Sequence, residues 1–163
     1  MTGLRDRLRG GDRRSIGDAD AVAAEVLRRP AQFAALIAAM RDPDRVVRMR
    51  SADAAEKASR ARPDLLAPHG AELLRLGASD EAEIRWHVAQ MLPRAGLDAR
   101  SRRSAVRLLT GYLDDASAIV VANALSALDA LDAHEARPAM LRAVRRGTPA
   151  VRARAAKLGL KER

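Results

Sequence analysis

Apolar residues recur along the chain with the spacing of amphipathic helices. Four segments align: VRMRSADAAEKA from Val47, IRWHVAQMLPRA from Ile84, VVANALSALDAL from Val120 and VRARAAKLGLKE from Val151. Each begins with a β-branched residue, and small or apolar residues follow four, five, seven and eight positions later. This spacing places the apolar side chains on one face of a helix. The alignment therefore predicts four related helices.

A turn and a second apolar stretch precede each aligned segment. The turns RDPD, ASDEAE, LDDAS and RGTPA carry the Asp, Ser, Thr and Pro residues that favour a helix start. The earlier apolar stretches begin at Ala31, Pro63, Ser101 and Glu135. A single helix pair buries too little apolar surface to be stable alone, whereas stacked pairs share a continuous core. The sequence thus predicts an all-α array of helical hairpins.

The segment DPDRVVRMRSADAAEK resembles the second half of a HEAT repeat, because an Asp lies in the turn and Val-Arg opens the second helix. The resemblance covers roughly residues 30–160 and is weakest where Val121 replaces this Arg. The chain is also similar to small bacterial HEAT-repeat proteins with no assigned activity. The resemblance implies a right-handed α-solenoid of about four HEAT-like hairpins with N-terminal capping helices. We expect an arm and capping helix over 1–29 and repeats near 30–61, 62–97, 98–133 and 134–163.

The same resemblance implies a ladder of Asp and Arg residues between neighbouring repeats. Its basic members would be Arg48, Arg85 and Arg152, which follow the first β-branched residue of their segments. Its acidic members would be Asp44, Asp80 and Asp115. The fourth turn has Thr148 and Pro149 at this place, so the ladder should end there.

The second helices should line the concave side of the array, and one row of their side chains includes the only tryptophan. At about 100° per residue, Trp86 lies near 200°, almost opposite an apolar face centred near 50°. Stacking extends this row and its neighbours into a mixed polar stripe, the predicted binding surface: Met49, Arg50, Asp53, Trp86, His87, Gln90, Asn123, Ser126, Arg154 and Lys157. Trp86 either contacts a partner there or packs on a neighbouring helix.

The positive charge is concentrated near the C-terminus. Net charge is +9; residues 31–133 hold fourteen basic and fourteen acidic groups, whereas residues 134–163 hold nine and two. The predicted basic patch comprises Arg137, Arg142, Arg145, Arg146, Arg152 and Lys161, beside Arg154 and Lys157. Such a cluster can bind phosphates or can keep the end of the array solvated. Phosphate binding requires the basic residues on one face, whereas a solvated cap scatters them.

No catalytic signature is present. The chain has no Cys, and His69, His87 and His134 are too widely spaced to suggest a metal site, so we expect no cofactor and no metal. RGGDRRSIG lacks the Gly-Lys-Ser/Thr of a phosphate-binding loop. HEAT-like DNA alkylation-repair glycosylases are the enzyme alternative, since they combine aromatic rings and a carboxylate in a basic cleft. Trp86 and Asp53 faintly resemble this pair, but they lie a whole repeat apart.

The expected function is a non-catalytic binding or scaffold module that holds a partner protein on the concave face. This step rests on analogy between folds. Nucleic-acid binding through the basic C-terminal repeat is the alternative. No apolar run suits a signal peptide or a bilayer span, so we expect a cytoplasmic protein without a membrane partner.

Overall fold

The computed structural model describes residues 3–10 and 15–160, and within these ranges the chain is all-helical, with no strand. The α-helices are α1 (Leu4–Leu8), α2 (Ala19–Arg28), α3 (Phe33–Ala39), α4 (Arg45–Ala61), α5 (Gly70–Leu76), α6 (Ala82–Met91), α7 (Ala99–Gly111), α8 (Ala118–Ala130), α9 (Arg137–Arg146) and α10 (Pro149–Lys157). Short 3-10 helices lie at Pro30–Gln32, Pro63–His69, Leu92–Arg94, Tyr112–Asp114 and His134–Ala136.

The four aligned segments form α4, α6, α8 and α10, in the predicted register. Their first β-branched residues, Val47, Ile84, Val120 and Val151, are each at most 1% exposed. Burial of such side chains stabilises each helix pair by about 1.5–3 kcal/mol per residue. The prediction that these positions face the core is confirmed.

The even-numbered helices pack on one another in sequence order: α2 on α4, α4 on α6, α6 on α8 and α8 on α10. The helices α3, α5, α7 and α9 each pack on the even-numbered helix that follows them. The even-numbered helices thus form one row, and α3, α5, α7 and α9 form another. The core between these rows is mostly aliphatic, and its fully buried side chains include Leu36, Leu73, Leu109 and Leu125. Aliphatic residues at helical spacing therefore fill this core almost without aromatic rings.

The turn residues start the following helices. The Asp44 carboxylate accepts a hydrogen bond from the Val46 amide at 2.8 Å and caps α4. Ser117 and Thr148 cap α8 and α10 in the same way, through amides three residues later. These side chains satisfy amide groups that have no partner inside the helix.

A ladder of arginines connects successive hairpins. Arg48 Nε donates to Glu81 at 2.6 Å, and Arg85 Nε donates to Asp115 at 2.7 Å. Each guanidinium also donates to a carbonyl six residues earlier in its own turn, that of Asp42 or Ser79. Each arginine thus fixes its own turn and the next hairpin together.

Two acidic members of the predicted ladder are different from those expected. Glu81, and not Asp80, accepts the hydrogen bond from Arg48, and the Asp44 carboxylate caps α4. The ladder ends after Asp115, where Val121 replaces the next arginine, and Arg152 donates to the Gly147 carbonyl of its own turn but to no carboxylate of the described residues.

The N-terminal arm is held against α4 by Arg50. The Arg50 guanidinium donates to the carbonyl oxygens of Leu8 at 3.1 Å, Gly10 at 2.6 Å and Ser15 at 3.1 Å. Gly17 packs directly against the Arg50 guanidinium. Its φ is +54°, and a Cβ added there would lie 2.6 Å from Arg50 Cζ. Only glycine therefore fits between the arm and this arginine.

Candidate partner-binding groove

An open groove of about 390 Å³ crosses the even-numbered helices from α4 to α10. Seven of its eleven lining residues have polar or charged side chains, and apolar atoms contribute much of its surface: Glu56, Arg60, Ala89, Gln90, Pro93, Arg94, Asn123, Ser126, Ala127, Ala130 and Arg154. Because the lining comes from four successive second helices, a ligand in the groove would contact several hairpins at once.

One end of the groove is built around a buried carboxylate. The Glu56 side chain is only 4% exposed and accepts from Arg60 at 2.5 Å and from Arg94 at 2.9 Å. Burial alone would raise the pKa of Glu56, but the hydrogen bonds from the two guanidinium groups outweigh burial and lower it. Glu56 is therefore ionised at neutral pH, and it fixes both arginines along the groove.

The middle of the groove carries an amide pair. Gln90 Nε2 donates to Asn123 Oδ1 at 3.0 Å, and Asn123 Nδ2 donates to the Ile119 carbonyl at 2.9 Å. These bonds occupy both groups of Asn123 and leave Gln90 Oε1 without a hydrogen-bond partner among the described residues. Arg94 Nε is likewise buried without a partner there. Both atoms lie beneath the surface of the groove, so a ligand reaches them only after the Gln90 and Arg94 side chains turn outward.

The other end of the groove is marked by Arg154 of α10. Its Nη1 donates to Ser126 Oγ of α8 at 2.7 Å, and Ser126 in turn donates to the Ala122 carbonyl. The Ser126 hydroxyl is a weak partner for the Arg154 guanidinium, because a carboxylate binds a guanidinium about twice as strongly as a neutral group does. Arg154 can therefore exchange this contact for a ligand carboxylate.

The structure brings together four residues of the predicted stripe and separates the others. Gln90, Asn123, Ser126 and Arg154 line the groove. Met49, Asp53 and Trp86 are half-buried beside it, and Lys157 is exposed, but none of these four lines it.

Arg50 and His87 are buried, with 3% and 9% of their surfaces exposed, so they are not presented on the stripe as expected. The arm covers Arg50, and packing against neighbouring helices encloses His87. Burial lowers the pKa of His87, which favours the neutral imidazole.

Trp86 is half-buried and packs against the core. Its ring centroid lies 5.6 Å from that of His87, at a tilted angle of 55°. The helical wheel places Trp86 opposite the apolar face of α6 itself, but α6 also packs on α4 and α8. A side chain on the flank of α6 is therefore enclosed by its neighbours, and the packing interpretation agrees with this placement.

Sequence reasoning missed Glu56, Arg60 and Arg94 as groove residues. The pair Glu56 and Arg60 has the i, i+4 spacing that favours an ion pair on a helix, which was a usable signal. Arg94 follows the end of α6, in the 3-10 helix that contains Pro93, and its approach to Glu56 depends on the packing of two hairpins.

The predicted basic patch does not form one surface. Arg137, Arg142, Arg145, Arg146 and Arg152 are all exposed, and Lys161 lies outside the described residues. Arg152 is directed back to the Gly147 carbonyl, whereas Arg146 pairs with Asp114 at 2.8 Å beyond the end of α7. Arg137 and Arg146 lie nine residues apart, about 180° from each other around α9, so the residues of the predicted patch do not share one face.

The carboxylate that the enzyme alternative depends on, that of Asp53, is engaged by a lysine. The Asp53 carboxylate pairs with Lys57 at 2.7 Å, and Lys57 also binds Asp20 at 2.5 Å. Within residues 3–10 and 15–160, no three His, Asp or Glu side chains are grouped so that they could hold a metal ion. None of the helices in those ranges combines the length and apolarity that crossing a bilayer requires.

Comparison with known proteins leaves the groove as the main guide to function. The chain matches no protein-family model, no curated protein and no solved structure.

Proposed function

We propose that the chain is a non-catalytic binding module, a short HEAT-type α-solenoid that holds an extended segment of a partner protein in the groove. The sequential packing of the even-numbered helices and the arginine ladder between hairpins support the solenoid part of this proposal. In such an array each hairpin contributes a similar strip of surface, which suits a linear ligand.

The unmatched pair in the groove is the observation that carries the proposal. Buried polar atoms are nearly always hydrogen-bonded, so an orphaned acceptor and an orphaned donor in one groove are unusual. Once these side chains turn outward, Gln90 Oε1 can accept from a peptide N–H, and Arg94 Nε can donate to a peptide C=O. An extended peptide supplies both groups at every residue.

The charges of the groove indicate which segment would fit best. Arg60, Arg94 and Arg154 outnumber the single carboxylate of Glu56 among the lining residues. The partner segment should therefore carry one or two acidic residues, which would pair with Arg154 and the exposed Arg60. Charge-assisted contacts of this kind add specificity and speed association.

The test uses a phage-displayed library of random peptides of about 12 residues, selected on the full chain. This length exceeds the roughly 30 Å across four helices packed 8–10 Å apart. We expect enriched peptides to contain acidic residues and to bind about 10-fold more weakly to Gln90→Leu, which is about 1.4 kcal/mol. Arg154→Met should also weaken binding, whereas Arg103→Met on the outside of α7 should not.

Two results would reject the proposal. One is the absence of any enriched peptide. The other is equal affinity of the enriched peptides for wild type, Gln90→Leu and Arg154→Met, with thermal melts showing that all three proteins are folded.

A further inference from the structure

Among α3, α5, α7 and α9, the first helices of their hairpins, α7 and α9 are unusual because each contains four arginines and no acidic residue. Of the helices in the same positions of the earlier hairpins, α3 carries no charge, while α5 has Glu72 and Arg75, which pair with each other at 2.7 Å. The net positive charge of these four helices therefore comes from α7 and α9, in the last two hairpins.

The exposed arginines of α7 share one face, and those in the second half of α9 form a similar stripe. On α7, Arg100, Arg103 and Arg107 are spaced i, i+3 and i+7, and all three are exposed. On α9, exposed arginines at i, i+3 and i+4 begin at Arg142, whereas the first residue of the helix lies outside this stripe. We call the two stripes the arginine face: Arg100, Arg103, Arg107, Arg142, Arg145 and Arg146.

Polar contacts at both ends hold α7 and α9 side by side in the same direction. Near the start of α7, Arg102 donates to the Leu131 carbonyl at 2.5 Å and lies 3.5 Å from Glu135, just before α9. Near the end of α9, Arg146 pairs with Asp114, just after α7. The two stripes of arginines are therefore neighbouring and run together.

The arginine face has few counter-charges. Elsewhere in the described chain, exposed arginines such as Arg45, Arg62 and Arg75 each pair with a carboxylate. Four members of the arginine face have no carboxylate at ion-pair distance among the described residues: Arg100, Arg103, Arg107 and Arg142. Unpaired guanidinium groups close together raise the local positive potential and attract a polyanion.

We propose that the arginine face binds the phosphate backbone of double-stranded nucleic acid. Guanidinium groups bind phosphate oxygens in a bidentate manner. The face has no aromatic ring on which unpaired bases could stack, since Phe33 and Tyr112 are buried and Trp86 lies on α6, so a duplex fits better than a single strand. The two large apolar residues that are exposed in the described ranges, Ile16 and Ile119, lie outside α7 and α9, which disfavours a membrane.

This site goes beyond the proposed peptide groove and corrects the basic patch expected from the sequence. Arg100, Arg103 and Arg107 join it, whereas Arg152 and Arg154 point elsewhere. The binding is independent of base sequence, because only phosphates are contacted.

The test follows fluorescence anisotropy of labelled DNA and RNA duplexes of about 16 base pairs, which at roughly 54 Å exceed the roughly 20 Å of α7. Four to six phosphate contacts should give a slope of about −4 to −5 in log K against log salt. Affinity should therefore fall about 10²- to 10³-fold between roughly 50 and 200 mM salt.

The decisive variant is the triple change Arg100→Gln, Arg103→Gln and Arg107→Gln. It should weaken duplex binding and make the salt slope shallower by about 2 to 3, because about 0.9 is lost per phosphate contact. The matched control, Arg28→Gln with Arg62→Gln and Arg75→Gln, removes the same charge from other parts of the chain and should change affinity by less than about 3-fold.

Several results would overturn the inference: no duplex binding at about 50 mM salt, equal losses in the two triple variants, or tighter binding of a single strand of the same length. Binding of phosphatidylserine vesicles in place of the duplexes would also overturn it and assign the face to a membrane surface. Gln90→Leu should leave duplex binding unchanged, so failure of this site and failure of the peptide groove can be told apart.

Discussion

Replacement of Arg50 by Met should release the N-terminal arm and destabilise the protein. Arg50 is 3% exposed, and its guanidinium donates to three carbonyl oxygens of the arm. Hydrogen bonds to a charged group contribute about 1.5–3 kcal/mol each. Gly10 and Ser15 are exposed, so their carbonyls regain water when the arginine is lost. Only the carbonyl of the buried Leu8 is left without a hydrogen-bond partner. We therefore expect the free energy of unfolding to fall by about 3 kcal/mol.

Urea unfolding followed by far-UV circular dichroism measures this loss, which corresponds to a fall in Tm of about 6–12 °C for a chain of this size. Trypsin should also cleave after the exposed Arg9 faster in the variant, because release of the arm lets the backbone around this site unfold locally. Arg103→Met is the matched control: an exposed arginine on α7 should be neutral within about 0.5 kcal/mol.

Gly17→Ala tests whether the contact itself is responsible. In the wild-type background, the new Cβ overlaps the Arg50 guanidinium, and the alanine is also strained by its positive φ. In Arg50→Met the overlap with the guanidinium is absent and only the backbone strain remains. The two changes should therefore be less than additive by at least about 1 kcal/mol. Additive effects, or a neutral Arg50→Met, would refute the reasoning and show that desolvation of Arg50 cancels its hydrogen bonds.

Three further predictions concern single groups in the core and the ladder. Arg85→Met should cost about 1–3 kcal/mol in urea unfolding, and a smaller loss than that of the exposed Arg152→Met would contradict the ladder. Tyr112→Phe removes a 2.5 Å bond to a buried carbonyl and should cost about 1–2 kcal/mol; a neutral result would mean that the bond contributes nothing. Burial lowers the pKa of His87 below its ordinary 6.5, so protonation of the unfolded chain should reduce stability as pH falls below 6.5. His87→Gln should reduce this slope without abolishing it, since burial also lowers the pKa of His69; an unchanged slope would exclude His87.

Local periodicity was sufficient to predict the helices and their register. A β-branched residue followed by small residues at helical spacing has only one way to bury its apolar side, and Val47, Ile84, Val120 and Val151 are all buried accordingly. Local sequence also accounts for two helix boundaries, because α5 begins only at Gly70, after Pro68, and α6 ends at Met91, before Pro93.

Contacts between distant segments were not predictable in this way. A helical wheel treats α4 as an isolated cylinder, so it placed Arg50 on a polar surface, whereas the arm folds over that side. The choice between Asp80 and Glu81 in the ladder depends on which neighbouring carboxylate the turn directs towards Arg48. Such choices are made by the backbone of a second hairpin, and spacing within one hairpin contains no information about them.

The two proposed surfaces differ in how their charges are satisfied, and this difference suggests different physical roles. In the groove, Glu56 holds Arg60 and Arg94 in fixed positions, so most of the polar groups are already oriented before a ligand arrives. Pre-oriented groups favour selective binding, because little side-chain entropy is lost on association. On the arginine face, the guanidinium groups of Arg100, Arg103 and Arg107 have no carboxylate at ion-pair distance within residues 3–10 and 15–160, which suits a salt-dependent and unselective attraction to phosphates. High salt should therefore abolish duplex binding while leaving much of the peptide affinity, and equal salt dependence of the two would argue against this division of roles.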